Sequence, residues 1–258
     1  MTASLFRAAL TDVDGPALGT WVKLPAVESV ELMALAGFDF VVIDLEHAPL
    51  DLETVSGFIA VALRSGLSPI VRVPGIDGGL FQRLLDAGAE GIMVPHVDSV
   101  DEAERVARLA RFPPRGTRGV GATGRAGQWG ALPRAEYLRF GQEEVVLIAQ
   151  LESADAVDAA GDIARVDGID AVLVGMADLS LSVQRDESDP YVRDLAMRAI
   201  AAAHETGVPV GTAGAATPAA VGASAEMGYD FLLLGNDAGF LGAAARTAVA
   251  GARAAVAG

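Results

Sequence analysis

Several short runs of strand-forming residues end in polar side chains that a buried strand has no ordinary use for. Residues 41–43 (VVI) lead into Asp44, Glu46 and His47; Arg72 stands between Val71 and Val73; a run of Val, Leu, Ile and Ala leads into Gln150 and Glu152; and residues 171–174 (AVLV) lead to Ala177 and Asp178. Glu152 and Asp178, with the Gln150 carboxamide beside them, make an oxygen-rich set suited to a hard divalent cation, which takes one or two protein carboxylates and completes its shell with water or substrate oxygens. The same two carboxylates also fit an acid/base pair, or helix caps, because Asp178 precedes Leu and Ser. A buried guanidinium is costly unless paired, so Arg72 calls for an anionic ligand or a carboxylate; an outward salt bridge to a helix is the alternative. Strand alternation puts Asp44 and Glu46 on one face and His47 on the other unless the chain has already bent.

The other candidates are single residues. His96 follows the run IMVP and either supports the site or serves structure, whereas His204 falls in the last turn of a helix, where it complements the helix dipole. Lys23 is the sole lysine and shares a strand face with Trp21. A Schiff-base mechanism has no other amine side chain to use, but such a lysine needs a lowered pKa and a carboxylate-rich surrounding favours its charged form.

These residues need a scaffold that gathers strand ends. Short β-branched runs alternate with helical patterns along the whole chain, the strands beginning near residues 19, 39, 68, 91, 145, 171, 209 and 230. Eight β-then-α units in one chain of 258 residues predict a single (β/α)8 TIM barrel spanning 1–258, with its chemistry at the C-terminal ends of the strands; an open doubly wound sheet is the alternative. The echo of GFDF before the second strand and GYDF before the eighth is the repetition of one βα unit. Residues 113–144 break the rhythm with a long Gly-, Arg- and Pro-rich loop holding a short helix near 135–141, either a flap over ligand or a surface excursion. The last helix is expected from residue 243 to 257, where its alanines could pack on a neighbouring subunit.

Composition narrows the class of function. With 19 basic and 34 acidic residues the net charge is −15, which disfavours a nucleic-acid partner or an anionic membrane. The absence of cysteine excludes disulfides, thiolate metal sites and a cysteine nucleophile. No segment reads as a signal peptide or membrane span, so a cytoplasmic setting is the expectation.

The motifs GTWVKLP, FVVIDLEHAP, VRVP, LLDAGA, PPRGTRGVG, QLES and GMADLS, in that order from residue 19 onward, resemble the metal-dependent (class II) pyruvate aldolases of the 4-hydroxy-2-oxoheptanedioate aldolase type. The resemblance implies a (β/α)8 barrel of the phosphoenolpyruvate/pyruvate-binding type and reversible cleavage of a 4-hydroxy-2-oxo acid into pyruvate and an aldehyde. It further implies a divalent metal ion (Mg²⁺, Mn²⁺ or Co²⁺), a homohexamer and a place in aromatic-compound catabolism. By position it makes Glu152 and Asp178 the metal ligands, with Gln150, the Ala177 backbone and Trp21 at the substrate. His47 becomes the catalytic base, Arg72 the group that stabilises the enolate, and Asp86 the acid that raises the basicity of the histidine. Met176 stands where the family often has proline, and residues 121–130 differ from its usual loop, which leaves the aldehyde open. A related lyase acting on another enol-pyruvate or acyl-CoA substrate, and a non-catalytic barrel that binds 2-oxo acids, are the competing readings.

Overall fold

The computed structural model describes residues 3–12 and 14–257; Met1, Thr2, Val13 and Gly258, and the side chains of Asp12 and Ala257, lie outside the described residues. The chain opens with α1 (Leu5–Asp12), then β1 (Ala17–Val22), α2 (Val27–Ala36), β2 (Phe40–Asp44), α3 (Leu52–Arg64), β3 (Ser68–Arg72), α4 (Gly78–Asp86), β4 (Gly91–Val94) and α5 (Val100–Ala110). The long loop carries α6 (Arg134–Arg139) and leads into β5 (Val146–Leu151), α7 (Ala154–Asp158), α8 (Ala160–Ala164), β6 (Ala171–Val174), α9 (Met176–Ser182) and α10 (Pro190–His204). The order ends with β7 (Val210–Gly214), α11 (Pro218–Met227), β8 (Phe231–Asn236) and α12 (Asp237–Ala257). The strands are parallel and close in chain order, with β8 hydrogen-bonded back to β1.

Strand alternation divides the apolar residues into two cores. One set, including Val41, Ile43, Val71, Ile92, Leu147 and Val172, packs outward against the helices. The other, including Phe40, Val42, Ile70, Met93, Ile148, Leu173 and Phe231, fills the barrel interior. Because side chains recur on one face every second residue, the interior face of β2 continues from Phe40 and Val42 to Asp44, that of β3 from Ile70 to Arg72, and that of β5 from Ile148 to Gln150. The barrel interior is therefore apolar at the start of the strands and polar at their end.

The entrance of the strands is sealed. Phe6 of α1 is fully buried and meets Phe40 and Phe231 edge to face, at ring-centre distances of 5.0 and 5.4 Å. An acid stands just before each even-numbered strand and accepts from a backbone N–H: Asp39 from Leu18 at 2.8 Å, Glu90 from Leu5 at 2.9 Å, Asp170 from Leu147 at 2.8 Å and Asp230 from Val210 at 2.7 Å. In GFDF and GYDF the glycines, Gly37 and Gly228, end α2 and α11 in the left-handed conformation that a side chain would strain. The echo in the sequence is thus a repeated helix stop followed by a repeated carboxylate clamp.

Several boundaries differ from the expectation. The segment of α1 is too short and too polar to stand out, yet Phe6 needs only one helical turn on each side to plug the barrel. β2 stops at Asp44 and β6 at Val174, so Glu46 and His47 lie in a turn and Asp178 lies in the first turn of α9. α12 begins at Asp237, six residues before the expected start. The long loop is fastened to the outside of the barrel: buried Arg118 lies over the Phe112 ring at 4.5 Å and pairs with Asp86, and Arg115 pairs with Asp167. None of its residues lines the cavity at the strand ends, so it is a surface excursion of its own barrel rather than a flap.

Candidate active site

At the exit of the strands lies a cavity of about 430 Å³, into which Trp21, His47, Arg72, Gln150, Glu152, Ala177 and Asp178 all project. Two clusters face each other across it. The first is built on β1, β2 and β3. Asp44 and Arg72 are direct cross-strand partners, and the fully buried Asp44 carboxylate receives Arg72 Nε at 3.0 Å and Nη2 at 2.7 Å. It also pairs with Lys23 Nζ at 3.0 Å. Burial pushes the Asp44 carboxyl up, but Arg72 and Lys23 outweigh it and hold it below the usual carboxylate range. The same Asp44 oxygen accepts the backbone N–H groups of Glu46 and His47 at 3.1 and 3.2 Å. That capping bends the chain directly after β2, which is why His47 lines the cavity while Glu46 reaches Arg72 beside it despite their odd spacing.

Glu46 Oε2 lies 2.9 Å from Arg72 Nη1 and 3.6 Å from His47 Nε2. The Trp21 ring stacks against the Arg72 guanidinium at 4.1 Å, a cation–π contact that fixes its plane. A guanidinium has five N–H donors; hydrogen bonds to Asp44 engage two, Glu46 stands against the group as an ion pair, and the other donors are left for an anionic or enolic oxygen. Arg72 is therefore paired with carboxylates, as its burial demanded, and still has donors to spare. The pair with Asp44 leaves Lys23 engaged as a counter-ion rather than free as an amine nucleophile.

The second cluster is built on β4, β5 and the start of α9. Glu152 is nearly buried; its Oε1 accepts from Gln150 Nε2 at 3.0 Å and its Oε2 from the His96 backbone N–H at 2.9 Å. Burial raises the Glu152 carboxyl above its ordinary range, and the neighbouring charges of Asp178 and Glu46 raise it further against the opposing pull of His96. Gln150 Oε1 is buried with no hydrogen-bond partner. Ala177, second residue of α9, lines the cavity, and a helix's own residues cannot accept the N–H groups of its first turn.

This second cluster fits a divalent cation. It presents two carboxylates, one of them destabilised as an anion by its surroundings, beside an orphaned carboxamide oxygen, and among the described residues no ion pair reaches Asp178. No group of three or more His, Cys, Asp or Glu is arranged to hold a metal among the described residues, so a cation here must complete its shell with ligand or water oxygens, as Mg²⁺ commonly does.

Seven of the eight residues singled out by sequence thus line one cavity. Asp86 does not. It ends α4, and a helix that runs back from the exit of one strand to the entrance of the next places its last residue far from the mouth. There Asp86 Oδ1 accepts from Arg118 Nη2 at 2.8 Å and from the Tyr137 hydroxyl at 3.2 Å, and no ion pair joins it to His47 among the described residues. Within one chain the acid beside His47 is Glu46. His204 pairs with Asp230 at 2.8 Å at the entrance side, consistent with a structural role. Glu187 and Asn236 also line the cavity; nothing in their spacing marked them, since they follow β6 and end β8 without a chemical pattern. A larger groove of about 590 Å³ runs between α5 and α8, but its charges pair among themselves, Arg115 with Asp167 and Arg165 with Asp162.

Comparison with known proteins agrees with this geometry. Residues 17–241 match the family described as HpcH/HpaI aldolase/citrate lyase. The chain is 36% identical to a hydroxypyruvate/pyruvate aldolase of Chromohalobacter salexigens over 95% of both chains. It is 31% identical to a 2-dehydro-3,6-dideoxy-6-sulfogluconate aldolase of Pseudomonas putida, over 85% of this chain and 86% of that one. Among solved structures, an HpcH/HpaI aldolase/citrate lyase family protein from Burkholderia cenocepacia superimposes with a TM-score of 0.89 at 36% identity, covering 96% of this chain and 98% of the other.

Proposed function

Because this chain belongs to the HpcH/HpaI aldolase/citrate lyase family, we propose that its cavity cleaves a 4-hydroxy-2-oxo acid reversibly into pyruvate, or a close 2-oxo acid, and an aldehyde. The enzyme is a carbon–carbon lyase of the class II pyruvate aldolase family. The observation that carries the residue assignment is the facing of two unlike clusters across one cavity, an Arg72–Asp44–Glu46–His47 group and a Gln150–Glu152–Asp178 group.

In this reading Glu152 and Asp178 hold a divalent cation, Mg²⁺, Mn²⁺ or Co²⁺. When bound, the cation supplies Lewis-acid polarisation of the 2-oxo group. Gln150 and the Ala177 N–H orient the 2-oxo acid, and Trp21 walls its edge. The N–H donors of Arg72 not engaged by Asp44 bind the C2 oxygen and stabilise the charge that develops on it, an oxyanion-type contribution. His47 takes the proton of the C4 hydroxyl at its ring nitrogen; the C3–C4 bond breaks, the aldehyde leaves, and the electron pair stays with the enolate. His47 then returns the proton to C3, giving pyruvate. In synthesis it removes a proton from the pyruvate methyl group instead. Glu46, 3.6 Å from the His47 ring, orients the imidazole; the resemblance gives the acid beside the histidine as Asp86.

The wider reading places the enzyme in the cytoplasm as a homohexamer in aromatic-compound catabolism. No helix among the described residues is long and apolar enough to cross a membrane. Assembly is supported by α12, which leaves Leu241, Val249 and Val256 exposed. The test is to strip the protein with a chelator, restore single divalent metals, and assay pyruvate release from a panel of 4-hydroxy-2-oxo acids, with Glu152→Ala alongside. Full activity in the stripped enzyme or in Glu152→Ala would refute the metal assignment.

A further inference from the structure

His96 is the one histidine at the cavity rim for which the proposed mechanism has no use. It follows β4 and Pro95, and its backbone is left-handed, with φ of 53°. Only four described residues other than glycine have positive φ; the rest are Gln128 and Trp129 in the long loop and Gln184 after α9. A bulky residue persists there when its surroundings over-determine it, and such strain gathers at functional sites.

Three contacts account for the conformation. The His96 N–H donates to Glu152 Oε2 at 2.9 Å, and the ring Nδ1 lies 3.1 Å from the same oxygen. The next N–H, of Val97, donates to the Gln150 carbonyl at 3.1 Å. The turn after β4 is thereby fastened to the end of β5 at Gln150 and Glu152. On its other side the ring Nε2 stands 3.8 Å from Glu46 Oε1, so the imidazole separates two acids that would otherwise face each other.

The geometry points to His96 as a positioning residue: its strained backbone and its ring together grip one oxygen of Glu152 and hold that carboxylate in the rotamer that meets the divalent cation. Among the described residues Glu152 is otherwise hydrogen-bonded only by Gln150, through its other oxygen. The inference rests on the reading of Glu152 and Asp178 as the cation's ligands. Outer partners that orient a ligating carboxylate are typically worth about 10- to 100-fold in metal affinity.

The experiment is Mn²⁺ binding to chelator-stripped full-length protein in saturating pyruvate, followed by calorimetry and by electron paramagnetic resonance, for the wild type, His96→Gly and His96→Asn. His96→Gly keeps the backbone N–H and relieves φ but removes the ring; His96→Asn keeps a short side-chain donor on a residue that tolerates the left-handed region. The expected result is Mn²⁺ affinity weakened about 10- to 100-fold in His96→Gly, partial recovery in His96→Asn, and a melting temperature of the stripped glycine variant no lower than that of the wild type. Mn²⁺ bound by His96→Gly as tightly as by the wild type, or more tightly, overturns the inference, as does a His96→Asn protein no better than the glycine variant. A wild type that binds no Mn²⁺ removes the metal reading and the inference together, whereas wild-type binding with unchanged variants removes the inference alone.

Discussion

At the entrance of the strands Asp39, Glu90, Asp170 and Asp230 each turn a carboxylate onto the backbone N–H of another element, Asp170 and Asp230 pairing also with Arg7, Arg111 and His204 outside the cavity; at the exit Asp44 and Glu152 cap the turns beside them and, with Glu46 and Asp178, face arginine, lysine, histidine or the open cavity. The residue types are the same at both ends, and the partners decide what they do. A carboxylate bound to a buried N–H has a backbone partner that would be orphaned if it moved, so the entrance acids set register and seal the plug around Phe6. At the exit the cations that pair with Asp44, Arg72 and Lys23, themselves line the cavity of the proposed chemistry.

The sharpest way to break this contrast is to remove one residue that serves both purposes. Arg72→Met should lower kcat for pyruvate release about 100- to 1000-fold through loss of the oxyanion donors. It should also cost about 3–5 kcal/mol of stability, because the fully buried Asp44 keeps only Lys23 as a counter-ion and Glu46 loses its arginine; steady-state kinetics and denaturant melts read the two effects separately. His47→Asn separates them, since the ring is 58% exposed. Activity is expected to fall about 10²- to 10⁴-fold, the usual range for a lost general base, with the melting curve unchanged. Matching wild-type kinetics in that variant would remove His47 from the mechanism.

The entrance should respond the other way. Phe6→Ala is expected to cost about 3–5 kcal/mol in chemical denaturation, while kcat/KM of the folded fraction stays at the wild-type value. A changed kcat/KM would show that the plug communicates with the mouth. The smallest effect concerns pH. Burial raises the Glu90 carboxyl in the folded state, so between its unfolded and folded pKa values the native protein holds the extra proton, and stability falls as pH rises through that window. Asp44, whose carboxyl is held low by Arg72 and Lys23 against the effect of burial, acts with the opposite sign: its contribution is present above the unfolded pKa and is lost as pH falls through the folded one. Glu90→Gln should therefore gain stability relative to the wild type as pH rises above the ordinary carboxylate range, in melts taken at stepped pH. A constant difference between the two proteins across that range would contradict the assignment.

Much of the site was legible because chemistry and periodicity coincide at the strand ends. Arg72 between two valines had to have a partner, and Gln150 and Glu152 two apart had to share a face. The bend after β2 was not legible: it depends on Asp44 capping Glu46 and His47, and the same letters would serve a strand carried two residues further. Nor was α1, whose role comes from Phe6 meeting Phe40 and Phe231, residues far from it in the chain. Asp86 has a plain place in LLDAGA; within its own chain the end of α4 lies on the entrance side, where its carboxylate accepts from Arg118 and Tyr137.

By itself, the sequence determined the eight βα units, the acidic character, the absence of thiol chemistry and the set of polar residues that strand alternation carries inward. These are local or compositional properties, set by side-chain period and residue type. Only the tertiary structure decided which carboxylate stands beside which cation, that Lys23 is a counter-ion of Asp44 rather than a free amine, and that His96 grips Glu152. Those pairings join residues tens of positions apart, and they exist because barrel closure brings the strand ends around one cavity, where a buried charge is costly without a partner.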